Sequence, residues 1–110
     1  MSDKRRQSTT PPRPERLLAT IRKLARDGLI SYSYHAEYER MAKRGFDVLD
    51  VKQVLLKGYV AGEITAGKKP GEWQVKLVDN LEGTSRKMGV VTVVIREQQL
   101  LIVTTEWEDR

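Results

Sequence analysis

The hydrophobic period of the chain changes once, at Gly58, and that switch limits the fold more than any other feature. Before it, apolar residues recur at helical spacing; after it, they alternate with a period of two. A chain of 110 residues with a single switch of this kind predicts one domain with segregated helices and strands, not repeated βα units. Residues 72–79 show the second pattern best. Trp73, Val75 and Leu77 alternate with Glu72, Gln74 and Lys76, which places the first set toward a core and the second on the opposite face. Residues 88–95 are apolar on both faces and predict a central strand, with residues 100–107 beside it. Residues 59–66 are a further candidate strand, weakened by Gly62. Residues 67–71, 80–85 and 96–99 are the connecting turns and loops.

Three helices are expected before the switch. Pro14 suits a first helical position, and Gly28 suits the left-handed residue that ends the same helix. Leu17, Leu18, Ile21, Leu24 and Ala25 form its apolar stripe, leaving Arg16, Arg22, Lys23 and Arg26 outside. Residues 29–34 are an extended connector or a minor strand. Ser33 can cap a second helix that ends at Gly45, with Tyr34, Tyr38 and Met41 on an inward face. A third helix starts at Asp47, where Asp50 supplies the return half of a capping box, buries Val48, Val51, Val54 and Leu55, and stops at Gly58. The expected architecture is therefore α+β, with three N-terminal helices packed on one face of a four-stranded antiparallel sheet. Residues 1–13 read as a flexible basic arm and residues 14–110 as a single domain.

The net charge is +5, and residues 1–28 carry all of it, with eight Lys/Arg against three Asp/Glu. Residues 29–110 are balanced, twelve against twelve. This asymmetry suits an anionic partner, nucleic acid or an acidic protein, and equally a solvated arm. With no cysteine and one histidine, disulfides and thiolate zinc sites are excluded, and no metal or other cofactor is expected. No apolar run predicts a signal peptide or a membrane span, so a cytoplasmic protein without a membrane partner is expected.

The stretch from His35 to Gly45 holds the chemistry-bearing candidates. Histidine is the side chain suited to proton transfer near neutrality, and Glu39 lies one turn after His35. A lone histidine fits a helix-start or packing role just as well. Arg40 and Arg44 are like charges one turn apart, which suits a shared phosphate or acidic partner, while Arg44 also suits the dipole at a helix end. Gln74 and Lys76 share one strand face, and antiparallel pairing across residues 80–85 brings Arg86 and Lys87 toward the end of that strand. A polar sheet face edged by cations suits RNA, whose 2′-hydroxyl needs only positioning, charge stabilisation and proton transfer to cleave its own backbone. An ordinary solvated sheet face has the same pattern.

Residues 16–28 (Arg-Leu-Leu-Ala-Thr-Ile-Arg-Lys-Leu-Ala-Arg-Asp-Gly), the Trp73-Gln74 pair and a sheet ending in Val-Val-Thr-Val-Val-Ile and Leu-Leu-Ile-Val-Thr resemble the MqsR-type toxins of bacterial toxin–antitoxin pairs, which are RelE-like ribonucleases. His35-Ala36, Arg40-Met41 and Arg44-Gly45 resemble the HA…RM…RG signature of a further bacterial family whose members are often encoded beside a zinc-finger antitoxin. The resemblance implies a metal-independent endoribonuclease of the mRNA interferase type, with RNA as substrate and a cognate antitoxin as partner. It carries Gln74 over as a catalytic residue. Met88 and Glu106 stand where that family has a tyrosine and a lysine. The proton transfer then falls to His35, with Arg86 steadying the phosphate as a third catalytic residue and Arg40, Arg44, Lys76 and Lys87 binding RNA. The alternative is a non-enzymatic module of the same fold that binds nucleic acid or an acidic protein through its basic arm.

Overall fold

The computed structural model describes residues 10–41 and 45–108, without the side chains of residues 39–41. Helix α1, Pro14–Arg26, begins with proline and ends as its sequence predicts. The Gly28 amide donates to the Ala25 carbonyl and the Leu29 amide to the Leu24 carbonyl, with Gly28 at φ +76°. This closure turns the chain directly into β1, Ile30–Tyr32. A single-turn π-helix follows, His35–Met41, and then α2, Val48–Lys57. The capping box at the start of α2 is present in both directions: Asp47 accepts from the Asp50 amide, and Asp50 accepts from the Asp47 amide. Strands β2 (Tyr59–Val60), β3 (Thr65–Ala66), β4 (Glu72–Asn80), β5 (Lys87–Ile95) and β6 (Gln99–Trp107) complete the domain.

These elements correct the expected sheet. It has six strands and is mixed, in the order β1-β6-β5-β4-β2, with β3 also on β4. The antiparallel meander of β4, β5 and β6 is its centre. β1 adds a parallel edge strand, with Ile30 opposite Leu100 and Tyr32 opposite Ile102. Three residues carry too little alternation to announce a strand, and their pairing is set by the return of the chain from α1. The candidate strand over 59–66 is two short strands, because the backbone leaves the ladder around Gly62, at φ +88°. The second helix is a π-helix, not an α-helix. It runs beside β6, anchored by Ser33, whose amide donates to the Ile102 carbonyl and whose hydroxyl donates to the Val103 carbonyl.

The core lies between α1, α2 and one face of the sheet. Ile21, Val51, Val54, Leu55, Leu77, Met88, Val90 and Ile102 are fully buried there. Val48 was expected in that core but is exposed. Arg22 was expected on the basic outside of α1. Its guanidinium instead donates to the carbonyls of Leu55 at 3.2 Å and Gly58 at 3.0 Å, satisfying the open C-terminal end of α2. Tyr34 and Tyr38, expected to pack inward, are 72% and 54% exposed. The wider π-turn instead carries Ala36 inward, where it is fully buried.

A bulge in β6 decides which side chains reach each face. Thr92 pairs with Ile102 and Val91 with Thr104, so Val103 is the extra residue. Before the bulge, Leu100 and Ile102 face the helices; after it, Thr105 and Trp107 do. Without the bulge, the strict alternation would send Glu106 into the core and Trp107 out of it. Among the described residues, no helix is long and apolar enough to cross a membrane.

Candidate functional site

The open face of the sheet, opposite the helices, carries two unlike ends. At one end Lys76 reaches across β5 to β6. Its ammonium lies 2.7 Å from a carboxylate oxygen of Glu106 and 2.7 Å from one of Glu108. Gly89 makes this crossing possible, because a Cβ there would sit 2.5 Å from Glu108 Oε2 and 2.7 Å from Lys76 Cε. Partial burial works against the charge of Lys76, but the hydrogen bonds and attraction of the two carboxylates outweigh it and hold the lysine above its ordinary pKa. The group is net acidic. Lys76, expected to bind phosphate, is therefore already neutralised by neighbours on its own sheet.

At the other end, the face forms a groove of about 390 Å³. Val93, Ile95, Leu101 and Val103 are its floor, Glu72 and Gln74 project from β4, Ser33 borders it from the π-helix side, and Gly67 and Lys68 border it from the β3–β4 loop. The expected polar face edged by cations therefore has an apolar floor at this end. β5 and β6 are apolar on both faces, and the helices cover only one. Gln74 is held in register by Val93 on β5 and Thr65 on β3, so a rigid three-stranded patch sets its position. A smaller cleft of about 290 Å³ lies on the helix side, between α1 and the 95–99 hairpin, and none of the predicted site residues line it.

The sequence-predicted residues do not converge on one point. Gln74 lines the groove. His35 is exposed at the start of the π-helix, two residues beyond the groove residue Ser33, whose hydroxyl accepts from the Ala36 amide at 3.0 Å. Lys76 belongs to the acidic end. Arg86 lies over the ring of Trp107, 3.9 Å from its centroid, and Phe46 packs on the same ring at 4.5 Å. That position covers the margin of the core, away from the groove floor. Lys87 opens β5 opposite Asn80. The side chain of Arg40 and all of Arg44 lie outside the described residues. Sequence reasoning missed the groove floor and the two carboxylates around Lys76. The alternation of β5 and β6 signalled the floor, whereas nothing local signalled the bulge that turns Glu106 outward.

Chemically, the groove offers a flat apolar floor for a base or an apolar side chain, an amide to hold a polar edge, and a cation and a carboxylate at the rim. His35 adds a group suited to proton transfer on the adjoining element. No family model, no curated protein and no solved structure matches this chain.

Proposed function

We propose that the protein is a toxin-like endoribonuclease of the cytoplasm that holds RNA in the open-face groove and is neutralised by a cognate antitoxin. The observation that supports this reading best is that Gln74 and Ser33, which leads to His35, border the same groove although they are 41 positions apart in the sequence (74 − 33). In this scheme the groove floor seats a base and Gln74 positions the strand. Lys68 meets phosphate at the rim. His35 takes the proton of the 2′-hydroxyl as its oxygen bonds to phosphorus, and the 5′-oxygen takes a proton from water as its bond to phosphorus breaks, leaving a 2′,3′-cyclic phosphate. The nucleophile is the RNA's own. Arg86 contributes by fixing Trp107 at the sheet margin.

The test is induction of the full chain in a bacterial culture, with RNA cleavage by the purified protein measured in parallel. Growth arrest and cleavage by the wild type are expected, with cleavage lost at least about a hundredfold in His35→Ala, the scale of one general acid–base group, and weakened in Gln74→Ala through poorer positioning. Undiminished cleavage by soluble His35→Ala would remove its assigned role. The acidic Lys76 cluster favours a second reading, a binding module that acts through the basic arm. That module would lose its function on deletion of residues 1–13 and keep it in His35→Ala.

A further inference from the structure

We propose that Tyr34 and Tyr38 form a base-stacking platform for single-stranded RNA beside the groove. The two rings pack on each other with centroids 4.6 Å apart and planes tilted by 33°. They remain 72% and 54% exposed. A pair of large aromatic rings held together in water, on an element whose inner side is already filled by Ala36, is spare as packing and suited to receiving a ligand. π-turns of this kind occur often at functional sites.

The chemistry of the surroundings selects the occupant. Every nucleobase offers a flat face to a tyrosine ring, so stacking tolerates any sequence and needs no matched pocket. Tyr34 follows Ser33 directly in the chain, Tyr38 lies four residues further on, and Ser33 borders the groove. In this proposal a strand lying in the groove continues past Ser33 onto the tyrosines, with His35 between them in sequence. The cation available to the backbone of such a strand is Lys68 at the groove rim, since the chain's excess positive charge lies in residues 1–28. The proposal rests on the ribonuclease reading for its substrate class. It does not rest on any catalytic role for the tyrosines.

The experiment is fluorescence anisotropy of labelled 2′-O-methyl octanucleotides, oligoadenosine and oligouridine, with the full-length protein. The 2′-O-methyl group blocks the attacking hydroxyl, so binding is read without cleavage. Expected is binding by the wild type, about five-fold to a hundredfold weaker in Tyr34→Ala and in Tyr38→Ala, and largely kept in Tyr34→Phe and Tyr38→Phe, since stacking needs the ring and not the hydroxyl. Oligoadenosine, with the larger base, should bind more tightly. Circular dichroism of each variant checks that the fold is kept. Wild-type affinity in both alanine variants, or no binding by the wild type, would overturn the platform. Binding without any cleavage of unmodified RNA would sink the ribonuclease and leave the platform standing. Cleavage with unaltered binding in the alanine variants would do the reverse.

Discussion

The two faces of β5 carry similar residues in dissimilar surroundings. Toward the helices it presents Met88, Val90, Thr92 and Val94, all buried. Toward the open side it presents Gly89, Val91, Val93 and Ile95, where Val91 and Ile95 are only half-buried. The first face is sealed by α1 and α2. The second is closed at one end by the Lys76–Glu106–Glu108 bridge and left as a groove at the other. Apolar character alone therefore places a strand at the centre of a sheet but does not say which face has a cover. An apolar face left without a cover beside polar rim groups is where a ligand gains most from binding.

The comparison breaks most readily on stability. Leu77 is fully buried on the helix face of β4. Leu77→Ala should destabilise the protein by about 2–5 kcal/mol, the transfer and cavity cost of a buried leucine. Val91→Ala on the open face of β5 should cost about 1 kcal/mol or less, because its site already meets solvent. Urea denaturation measures both. Equal costs would mean that the open face beside the Lys76 bridge, where Val91 pairs with Lys76, is covered in solution.

A second, smaller effect separates the two ends of the open face. Lys76 is held above its ordinary value of 10.5, where burial is outweighed by its hydrogen bonds to Glu106 and Glu108. A raised lysine stabilises the folded state fully below its unfolded pKa and loses that contribution as pH rises through the folded value. Stability should therefore decline above about pH 10.5 by way of Lys76, and Lys76→Met should lack that part of the decline. Lys57 is also raised, by its hydrogen bond to Glu82, so the difference between wild type and variant isolates Lys76. At neutral pH the variant leaves two carboxylates facing each other across Gly89, at a cost on the order of 1 kcal/mol. Urea titrations from neutral to strongly alkaline pH read both effects. An unchanged alkaline limb in Lys76→Met would show that the bridge does not persist in solution. Substitutions at the groove end, such as Val93→Thr, should leave this limb untouched.

The sequence made the punctuation of the fold legible, because caps and turns are local. Gly28, the Asp47–Asp50 box and Gly58 each act within a few residues of chain, and their chemistry is visible there. The central strands were legible because Met88, Val90, Leu100 and Ile102 cannot be placed anywhere but a core. What stayed hidden was non-local. The pairing of β1 with β6 joins residues 70 positions apart, Ile30 with Leu100. Arg22 looked like a surface cation because its acceptors, the carbonyls of Leu55 and Gly58, belong to another helix. For the candidate site, alternation placed Gln74 and Lys76 on one face correctly. It could not show that Lys76 has two carboxylates for partners, since a bulge sets the outward turn of Glu106. Nor could helical spacing show that a π-turn would swing Tyr34 and Tyr38 out to solvent.

The smallest effect sharpens the comparison at neighbouring residues. Thr104 and Thr105 point to opposite faces just after the bulge, and among the described residues neither hydroxyl oxygen has a hydrogen-bond partner. Thr105 is fully buried beneath the helices, whereas Thr104 is half-buried on the open side. A hydroxyl sealed from water without a partner costs the folded state its hydration, and valine has the same shape without that cost. Thr105→Val should therefore stabilise the protein by about 1 kcal/mol. Thr104→Val should change stability by only a few tenths of that: its hydroxyl oxygen is sealed from water as that of Thr105 is, but it lies on the side that α1 and α2 leave open, where a small movement restores its hydration. Thermal and urea denaturation of the two variants decide the matter. A gain at Thr104 as large as that at Thr105 would mean that water is excluded equally from both faces. The open side of the sheet would then be closed by something other than the described residues.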